Sequence, residues 1–327
     1  MPLNGIIMAK KDDYSSLKIA KETKSRIQEQ FPTLMALATT PPEEVIRRCE
    51  INRSSAERAV NQARKIIGMT EPITAAELLE EKMAKPRITT SSQQLDEILG
   101  GGIAVGAITE FSGAFSTGKT QLAFQLCINV QRPLDEGGIN GKALFIDTEN
   151  TFAPARVAEM SYSFTDDPKR FLKNIFVSRA YNADHQIQIV EKTDKLIEAN
   201  DVRLIVIDSM ASHFRAEFPG KDNLPRRQQM LMAHAETLQR LAESYELAIM
   251  TTNQILANPD SIFSGTSSLE PALGFAWGHR PTHRILLRKS RGTIRIARIF
   301  DSPELAEREA VFHITPQGIR DGPPLDY

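Results

Sequence analysis

From residue 103 onward, short apolar runs alternate with longer stretches whose apolar positions recur every three or four residues. Five runs read as strands: Ile108 to Ser112, Ala143 to Asp147, Ile175 to Val177, Leu204 to Asp208 and Leu247 to Thr251. Helices are predicted over 119–131, 185–199 and 226–244. Strands that are apolar on both faces belong inside a parallel sheet covered by helices. The alternation therefore predicts an α/β domain with a mainly parallel central sheet. Three later alternating runs, Arg284 to Lys289, Thr293 to Phe300 and Ala310 to Thr315, have no helix between them. They are expected to add antiparallel strands at one edge.

Residues 14–68 read differently, as a small all-helical domain. Thr40-Pro41-Pro42-Glu43 and Ser54-Ser55-Ala56-Glu57 have the capping-box pattern that opens a helix. The second helix carries an apolar stripe of Ala59, Ala63, Ile66 and Ile67, with Arg58, Arg64 and Lys65 on its other side. That basic face suits solvent, or weak contact with nucleic-acid phosphates. A linker follows over 69–86, where Thr74-Ala75-Ala76-Glu77 opens a helix over 78–83 that Pro86 ends. Ser92 to Leu99 is one more short helix, stopped by Gly100-Gly101-Gly102. Residues 1–13 read as a mobile tail and 87–327 as the large domain.

Composition narrows the possibilities. Hydrophobic residues at 41% and charged residues at 25% describe a soluble chain with an ample core. A formal charge of −1 excludes a generally basic nucleic-acid coat, so any such binding must come from local segments. Cys49 and Cys127 are the only cysteines and offer neither a disulfide framework nor metal-ligand spacing, which suits a reducing compartment. No apolar run is long enough to span a membrane.

The chemistry concentrates at Gly113-Ala114-Phe115-Ser116-Thr117-Gly118-Lys119-Thr120. It fits the phosphate-binding pattern G-x-x-x-x-G-K-[ST], and it stands between a predicted strand and a predicted helix. A chance match in a chain of this length is about one in a hundred at average residue usage, and the context makes coincidence rarer still. The helix start would present free N–H groups to a polyphosphate, Lys119 would reach the β- and γ-phosphates, and Thr120 would ligate Mg²⁺. Asp208, ending a buried strand, would assist the metal directly or through water. Asp147 and Glu149 end another strand, and Glu149 is the choice to activate water, against the bland reading that both acids cap the next loop. Gln254, beyond Thr251-Thr252-Asn253, is placed to sense a γ-phosphate without competing for metal.

Two segments after the central strands look unusual. Arg215 to Arg227 carries Arg215, Lys221, Arg226 and Arg227, interleaved with Phe214 and Phe218. Ala257 to Arg280 is long for a loop and carries Phe263, Phe275, Trp277 and Arg280. Basic side chains with aromatic neighbours suit single-stranded nucleic acid, with phosphate contacts and stacking. Nucleotide binding would order the second loop.

These residues resemble the RecA-fold strand-exchange recombinases of the archaeal RadA type and their eukaryotic counterparts, from about Pro86 to Pro323. The likeness includes Arg87-Ile88-Thr89-Thr90, Gly118-Lys119-Thr120-Gln121, Asp147-Thr148-Glu149-Asn150-Thr151-Phe152, Arg227-Gln228-Gln229, Thr252-Asn253-Gln254, Leu287-Arg288-Lys289, Arg295-Ile296-Ala297-Arg298 and Asp301-Ser302-Pro303. It implies a RecA-like P-loop ATPase core and a helix-hairpin-helix-like first domain. It also implies ATP and Mg²⁺ as ligands, and it leaves open a monovalent cation beside the γ-phosphate. Catalysis would fall to Lys119, Glu149 and Gln254. Gln121 would extend the nucleotide cradle and Arg156 would stack on adenine. Asp301, Ser302, Pro303 and His279 would reach the nucleotide of a neighbouring subunit. The two unusual loops, with Arg215, Phe218, Lys221, Arg226 and Arg227 in the first and Phe263, Trp277 and Arg280 in the second, would bind single- and double-stranded DNA. Self-association into a filament or ring through ATP would follow, with homologous pairing and strand exchange as the activity. Residence would be cytoplasmic beside the nucleoid in an archaeon, or nuclear in a eukaryote.

Four features depart from the family's pattern. Pro72 stands where the family's Phe-x-x-Ala subunit anchor has Phe, while a shifted register offers Ile73 ahead of Ala76. The glycine-rich turn of the first hairpin is absent from Ser16 to Thr39, Ala153 replaces an Arg, and Gly274-Phe275-Ala276-Trp277 replaces a glycine pair. The last two features resemble recombinase paralogues. The alternative reading is therefore a paralogue or mediator that binds ATP, DNA and recombinases without exchanging strands itself.

Overall fold

The computed structural model describes residues 14–220, 222–257, 269–271 and 273–322. The chain starts with a 3-10 turn, Tyr14–Ser16, and four helices: α1 Lys21–Gln30, α2 Leu34–Thr39, α3 Pro42–Cys49 and α4 Arg53–Ile66. They close around Ile27, Phe31, Leu34, Leu37, Val45, Ala56 and Val60, a core of their own. The Tyr14 hydroxyl donates to the carbonyl of Phe31 at 2.6 Å and pins the start of the module.

Two expected capping boxes do not form. Helix α3 begins after Pro41 with no side-chain cap. The Thr40 hydroxyl instead donates back to the Ala36 carbonyl at 2.6 Å. Helix α4 is capped by Asn52, whose Oδ1 accepts from Ser55 N at 2.8 Å. Asn is as good a cap as Ser, and it lies two residues before Ser54. The box at Thr74 and Glu77 does form, opening α5, Ala75–Ala84. No residue of α5 is buried.

A two-stranded antiparallel ribbon leads into the large domain, with β1 Arg87–Ile88 and β2 Ile103–Ala104 flanking α6, Gln93–Ile98. Gly102 is obligatory in it: φ is +119°, and a Cβ there would lie 2.3 Å from the Ile88 carbonyl.

The remaining elements follow in order. They are β3 Ile108–Gly113, α7 Lys119–Asn129, β4 Lys142–Asp147, α8 Pro154–Ser161, α9 Lys169–Leu172 and β5 Ile175–Arg179. Next come α10 Ala183–Glu191, α11 Asp194–Asn200, β6 Val202–Asp208, α12 Ser212–Glu217, α13 Leu224–Ser244 and β7 Ala248–Ala257. The last are β8 Leu269–Pro271, α14 Gly274–Gly278, β9 His283–Lys289, β10 Ile294–Asp301, β11 Glu309–Thr315 and β12 Gly318–Asp321. The sheet runs β12-β11-β10-β9-β3-β7-β6-β4-β5, with β8 paired to β7.

The fold is α/β with a largely parallel sheet, as the alternation predicts. Strand β9, expected as antiparallel, pairs parallel with β3; only β10, β11 and β12 run antiparallel beyond it. The chain between β7 and β9 is long enough to return β9 to β3 in the parallel sense. Strand β12 follows β11 through a two-residue turn and gave no separate signal. The helix expected over 185–199 is two helices, broken where the Thr193 hydroxyl donates to the Val190 carbonyl at 2.8 Å.

Helices cover both faces. Leu122, Phe124 and Leu126 of α7 pack with Phe145 and Val206 on one face. Val190, Ile197, Phe214, Leu231 and Leu238 pack with Ile205 and Ile249 on the other. The helical module docks on α13 and α11. Arg240 donates to Glu44 through two nitrogens, at 2.8 and 3.1 Å, and Arg48 donates to Asp194 at 2.7 Å. No helix among the described residues is long and apolar enough to cross a membrane.

Candidate nucleotide and nucleic-acid site

Strand β3 ends at Gly113, and the chain turns through Ala114, Phe115, Ser116 and Thr117 before α7 starts at Lys119. The turn has no room for side chains at its glycines. A Cβ on Gly113 would lie 2.6 Å from Thr117 Oγ1, and one on Gly118 would lie 2.5 Å from Ile314 Cδ1. Gly118 also holds φ at +100°. Thr117 is buried and donates to the Ala114 carbonyl at 2.9 Å, tightening the loop, while Phe115 is 93% exposed at its tip. Lys119 folds inward, its ammonium donating to the carbonyls of Gly113 and Ala114, each at 2.9 Å. Burial lowers its pKa, against the opposing pull of Asp208 and Glu149.

The acids stand around this lysine in distinct ways. Asp208 ends β6 and is buried; burial raises its pKa, against the opposing pull of two hydroxyl donors. Those donors are Thr120 Oγ1, at 2.6 Å from Oδ2, and the Thr252 hydroxyl on Oδ1. Glu149 lies beyond β4, exposed, and its Oε1 accepts from Ser209 Oγ at 2.7 Å. Asp147 is spent on structure: it accepts from the backbone N–H groups of Glu149, Thr151 and Phe152 at 3.2, 3.1 and 3.0 Å. The loop-capping reading therefore holds for Asp147 and leaves the Glu149 carboxylate facing outward.

Gln254 stands opposite Gly113 in the pairing of β3 with β7, which brings it to the loop's edge. Arg156 on α8 is fixed by four acceptors. Its Nε donates to Gln121 Oε1 at 2.8 Å, Nη2 to the Thr315 carbonyl at 2.5 Å, and Nη1 to the Pro316 carbonyl at 2.9 Å and to Glu159. Four of its five N–H donors are thereby engaged in the plane, which leaves the flat face for stacking. One edge of the sheet thus gathers Gly113 to Gln121, Glu149, Arg156, Asp208 and Gln254.

Asp301, Ser302, Pro303 and His279 are elsewhere. They line a cleft of about 440 Å³ with Gly278, Arg280 and Thr282. Asp301 registers with Arg284, and Arg284 registers with Glu110, three residues before Gly113. That offset is about 10 Å along the strands, and two strand spacings of about 5 Å separate β10 from β3. These residues therefore stand apart from their own chain's glycine loop. His283 Nδ1 lies 3.0 Å from Ser302 Oγ, which in turn accepts from the N–H groups of Glu304 and Leu305.

The expected nucleic-acid segments are partly corrected. Arg215 sits on α12, and Arg226 and Arg227 in the first turn of α13, so only the stretch between these helices is loop. Phe218 is 9% exposed and packs in the second core beneath the Arg226 guanidinium, 5.3 Å from its ring. Trp277 is wholly buried, its indole N–H donating to Glu110 at 2.6 Å. Neither ring is offered to a base: the apolar face of each completes the core, which the one-dimensional pattern of a basic loop conceals. Arg280 is ion-paired to Glu236 at 3.0 Å. Arg227 donates to the Phe218 carbonyl at 3.3 Å. Lys221 and Phe263 lie outside the described residues.

Sequence reasoning missed three residues that shape the site. Ser209 holds Glu149, Thr252 holds Asp208, and Glu110 is a buried acid inside β3. Thr252 and Ser209 each directly follow a strand position already singled out. Glu110 stood in plain view as the one charged residue in an otherwise uncharged strand.

Comparison with known proteins settles the family. The Rad51 family profile matches residues 82–322, from the end of α5 to just past β12. The chain belongs to the Rad51 family. It is 45% identical over 291 residues to the DNA repair and recombination protein RadA of Aeropyrum pernix, covering 89% of this chain and 90% of that one. The RadA-type, RecA-fold identity implied by the motifs therefore holds.

Proposed function

We propose that this protein is an ATP-dependent recombinase that assembles on single-stranded DNA and pairs homologous strands in recombinational repair. The observation that carries this reading is the separation of two half-sites. One edge of the sheet holds a glycine cradle with Lys119, Thr120, Glu149, Asp208 and Gln254, while Asp301 and His279 stand apart from it on the same chain.

The residues of the cradle fit a Mg²⁺-nucleotide. The backbone is too close-packed at Gly113 and Gly118 for any side chain, and the start of α7 offers N–H groups to phosphate. Thr120 and Asp208 supply two oxygens 2.6 Å apart, and Mg²⁺ in such sites takes few protein ligands, the rest coming from phosphate and water. When bound, the metal would supply positive charge to offset that of the phosphates. Lys119 would add its own charge there. Glu149, oriented by Ser209, would align and deprotonate a water, and Gln254 would donate its amide to the γ-phosphate. Asp301, Ser302, Pro303 and His279 would close over the nucleotide of the adjacent protomer.

Self-association has a second support. Ile73, Leu78, Leu79 and Met83 in and before α5 are between 44% and 77% exposed, a density of apolar surface that suits a partner protomer. Ile73 is 50% exposed and would take the anchor role, its larger apolar side chain filling a partner's pocket better than the Pro72 ring. DNA contact would fall to Arg215 and Arg226 with the segments around Lys221 and Phe263, through phosphates more than through stacking on Phe218 or Trp277.

Lys119→Ala tests the reading. We expect wild-type ATP turnover to rise on adding single-stranded DNA and the variant to lose about 10²-fold or more, as when a preorganised charge is removed from a transferring phosphoryl group. Wild-type turnover indifferent to DNA, with no strand exchange, would favour the mediator reading, for which the altered anchor at Pro72 speaks.

A further inference from the structure

Glu110 takes no part in the cradle, yet it has no exposed surface. Its carboxylate accepts from three side chains on three other elements. These are Asn253 Nδ2 at 2.8 Å, Trp277 Nε1 at 2.6 Å and Arg284 Nε at 2.8 Å. Each donor leads somewhere different. Asn253 immediately precedes Gln254 on β7, at the edge of the cradle. Trp277 belongs to α14, immediately before Gly278 and His279. Arg284 on β9 extends Nη1 to within 3.7 Å of Asp301 and lays its guanidinium over Phe300, 4.6 Å from the ring. The backbone of α14 rests directly on that arginine, since a Cβ on Gly278 would lie 3.1 Å from Arg284 Nη1.

Stability alone is a poor reason for such a cluster. Burying a carboxylate and a guanidinium carries a desolvation cost that an apolar filling of the same space avoids. A satisfied polar network does something an apolar filling cannot, which is to fix one relative placement of the elements it joins. Here it joins the strand carrying Gln254 to the segment carrying His279 and to the strand end carrying Asp301. Asn253 Oδ1 and Thr251 Oγ1, buried on the same strand, have no hydrogen-bond partner among the described residues.

We propose that Glu110 is a positioning residue that couples the two half-sites of one protomer. Through it, the terminal phosphate read by Gln254 in a protomer's own cradle sets the placement of His279 and Asp301 against the nucleotide of the next protomer. The path is short and rigid: Gln254 and Asn253 are neighbours on one strand, Glu110 bridges to Trp277 and Arg284, and those two hold the cleft. Hydrolysis would thereby pass from protomer to protomer in order. The inference rests on the reading of the chain as an ATPase assembled through its nucleotides.

Two variants and a control test it. Trp277→Phe keeps a buried ring and deletes one donor, and Glu110→Gln keeps the shape and deletes the charge that faces Arg284. Val190→Ala thins the same core away from the cluster. Steady-state ATP turnover on single-stranded DNA is measured against ATP concentration for each, beside the affinity of a fluorescent ATP analogue for dilute protomers. For both relay variants we expect affinity within about twofold of wild type and kcat lower by about tenfold, because the lost contacts act on the assembled transition state and not on ground-state binding. The dependence on ATP, sigmoidal in wild type, becomes hyperbolic as the coupling is lost. The control keeps wild-type kcat and sigmoidicity despite a lower melting temperature. The proposal is overturned if the relay variants keep wild-type kcat and sigmoidicity, or if Val190→Ala loses both to the same degree. A wild-type rate per protomer that is the same in dilute and assembled protein would instead overturn the assembly reading itself, and that outcome is visible without any variant.

Discussion

Asp147 and Glu149 stand two residues apart and have separate jobs. Asp147 receives three backbone N–H groups and shapes the loop after β4, while Glu149 is held by one serine hydroxyl and projects outward. Position beyond the strand end favoured Glu149 for water but left loop capping open for both acids; the capping falls to Asp147 because the backbone curls back after Thr148 to present its N–H groups there. The predicted consequence is specific. Glu149→Gln should keep ATP affinity, since the phosphate-facing groups are untouched, and lower kcat by about 10²- to 10⁴-fold, the usual worth of a general base. Single-turnover hydrolysis beside equilibrium binding separates the two quantities, and an equal loss in both would remove Glu149 from this role. Lys119 and Thr120 were legible because a motif fixes their spacing, and Asp208 because it ends a continuous apolar strand. The roles of Ser209, Thr252 and Glu110 were not, since each acts through partners distant in sequence, such as Thr252 to Asp208 and Trp277 to Glu110.

Among the elements, the parallel strands were the most readable. Continuous apolar runs such as Leu204 to Ile207 are buried on both sides, and few other placements would satisfy them. Helix boundaries were less so: caps at Asn52 and the break at Thr193 depend on local hydrogen bonds that competing Ser and Thr residues also offer. The aromatics misled for a related reason. A ring in a basic segment reads as a stacking platform, but Phe214, Phe218 and Trp277 turn inward to seal the face of the sheet under α13. That helix carries its own testable feature. His234 is buried among Gln186 and Phe214, and burial depresses its pKa from 6.5 to about 4. Its depressed value makes the neutral ring the folded form, so its contribution is complete above pH 6.5 and is lost as pH falls toward 4. A shift of that size corresponds to about 3 kcal/mol. Denaturant midpoints across this range should fall in wild type and flatten in His234→Gln; parallel profiles would show that the histidine is not the titrating group.

The molecule as a whole is arranged around one sheet, with the cradle at Gly113 to Gln121 and the cleft at Asp301 at two separated places. The helical module is fastened to the rear of α13 and to α11 by the Arg240–Glu44 and Arg48–Asp194 pairs, away from the cradle. None of this docking was foreseeable, because it pairs residues nearly 150 to 200 positions apart. The exposed apolar surface of α5 and the cleft at Asp301 are both open on the single protomer, and the proposed assembly would use both. The most direct test mixes two variants that are each inactive for a different reason. Lys119→Ala lacks a working cradle, and the double variant His279→Ala with Asp301→Ala lacks a working cleft. Combined in equal amounts on single-stranded DNA, they should regain turnover that neither has alone, with about a quarter of wild type as the ceiling, because in a head-to-tail assembly half the protomers keep a cradle and half of those meet an intact cleft. The recovered rate falls below that ceiling because each intact cleft belongs to a protomer without a working cradle. If the mixture stays as inactive as its parts while both variants still co-assemble, the nucleotide is not shared between protomers and the account is wrong.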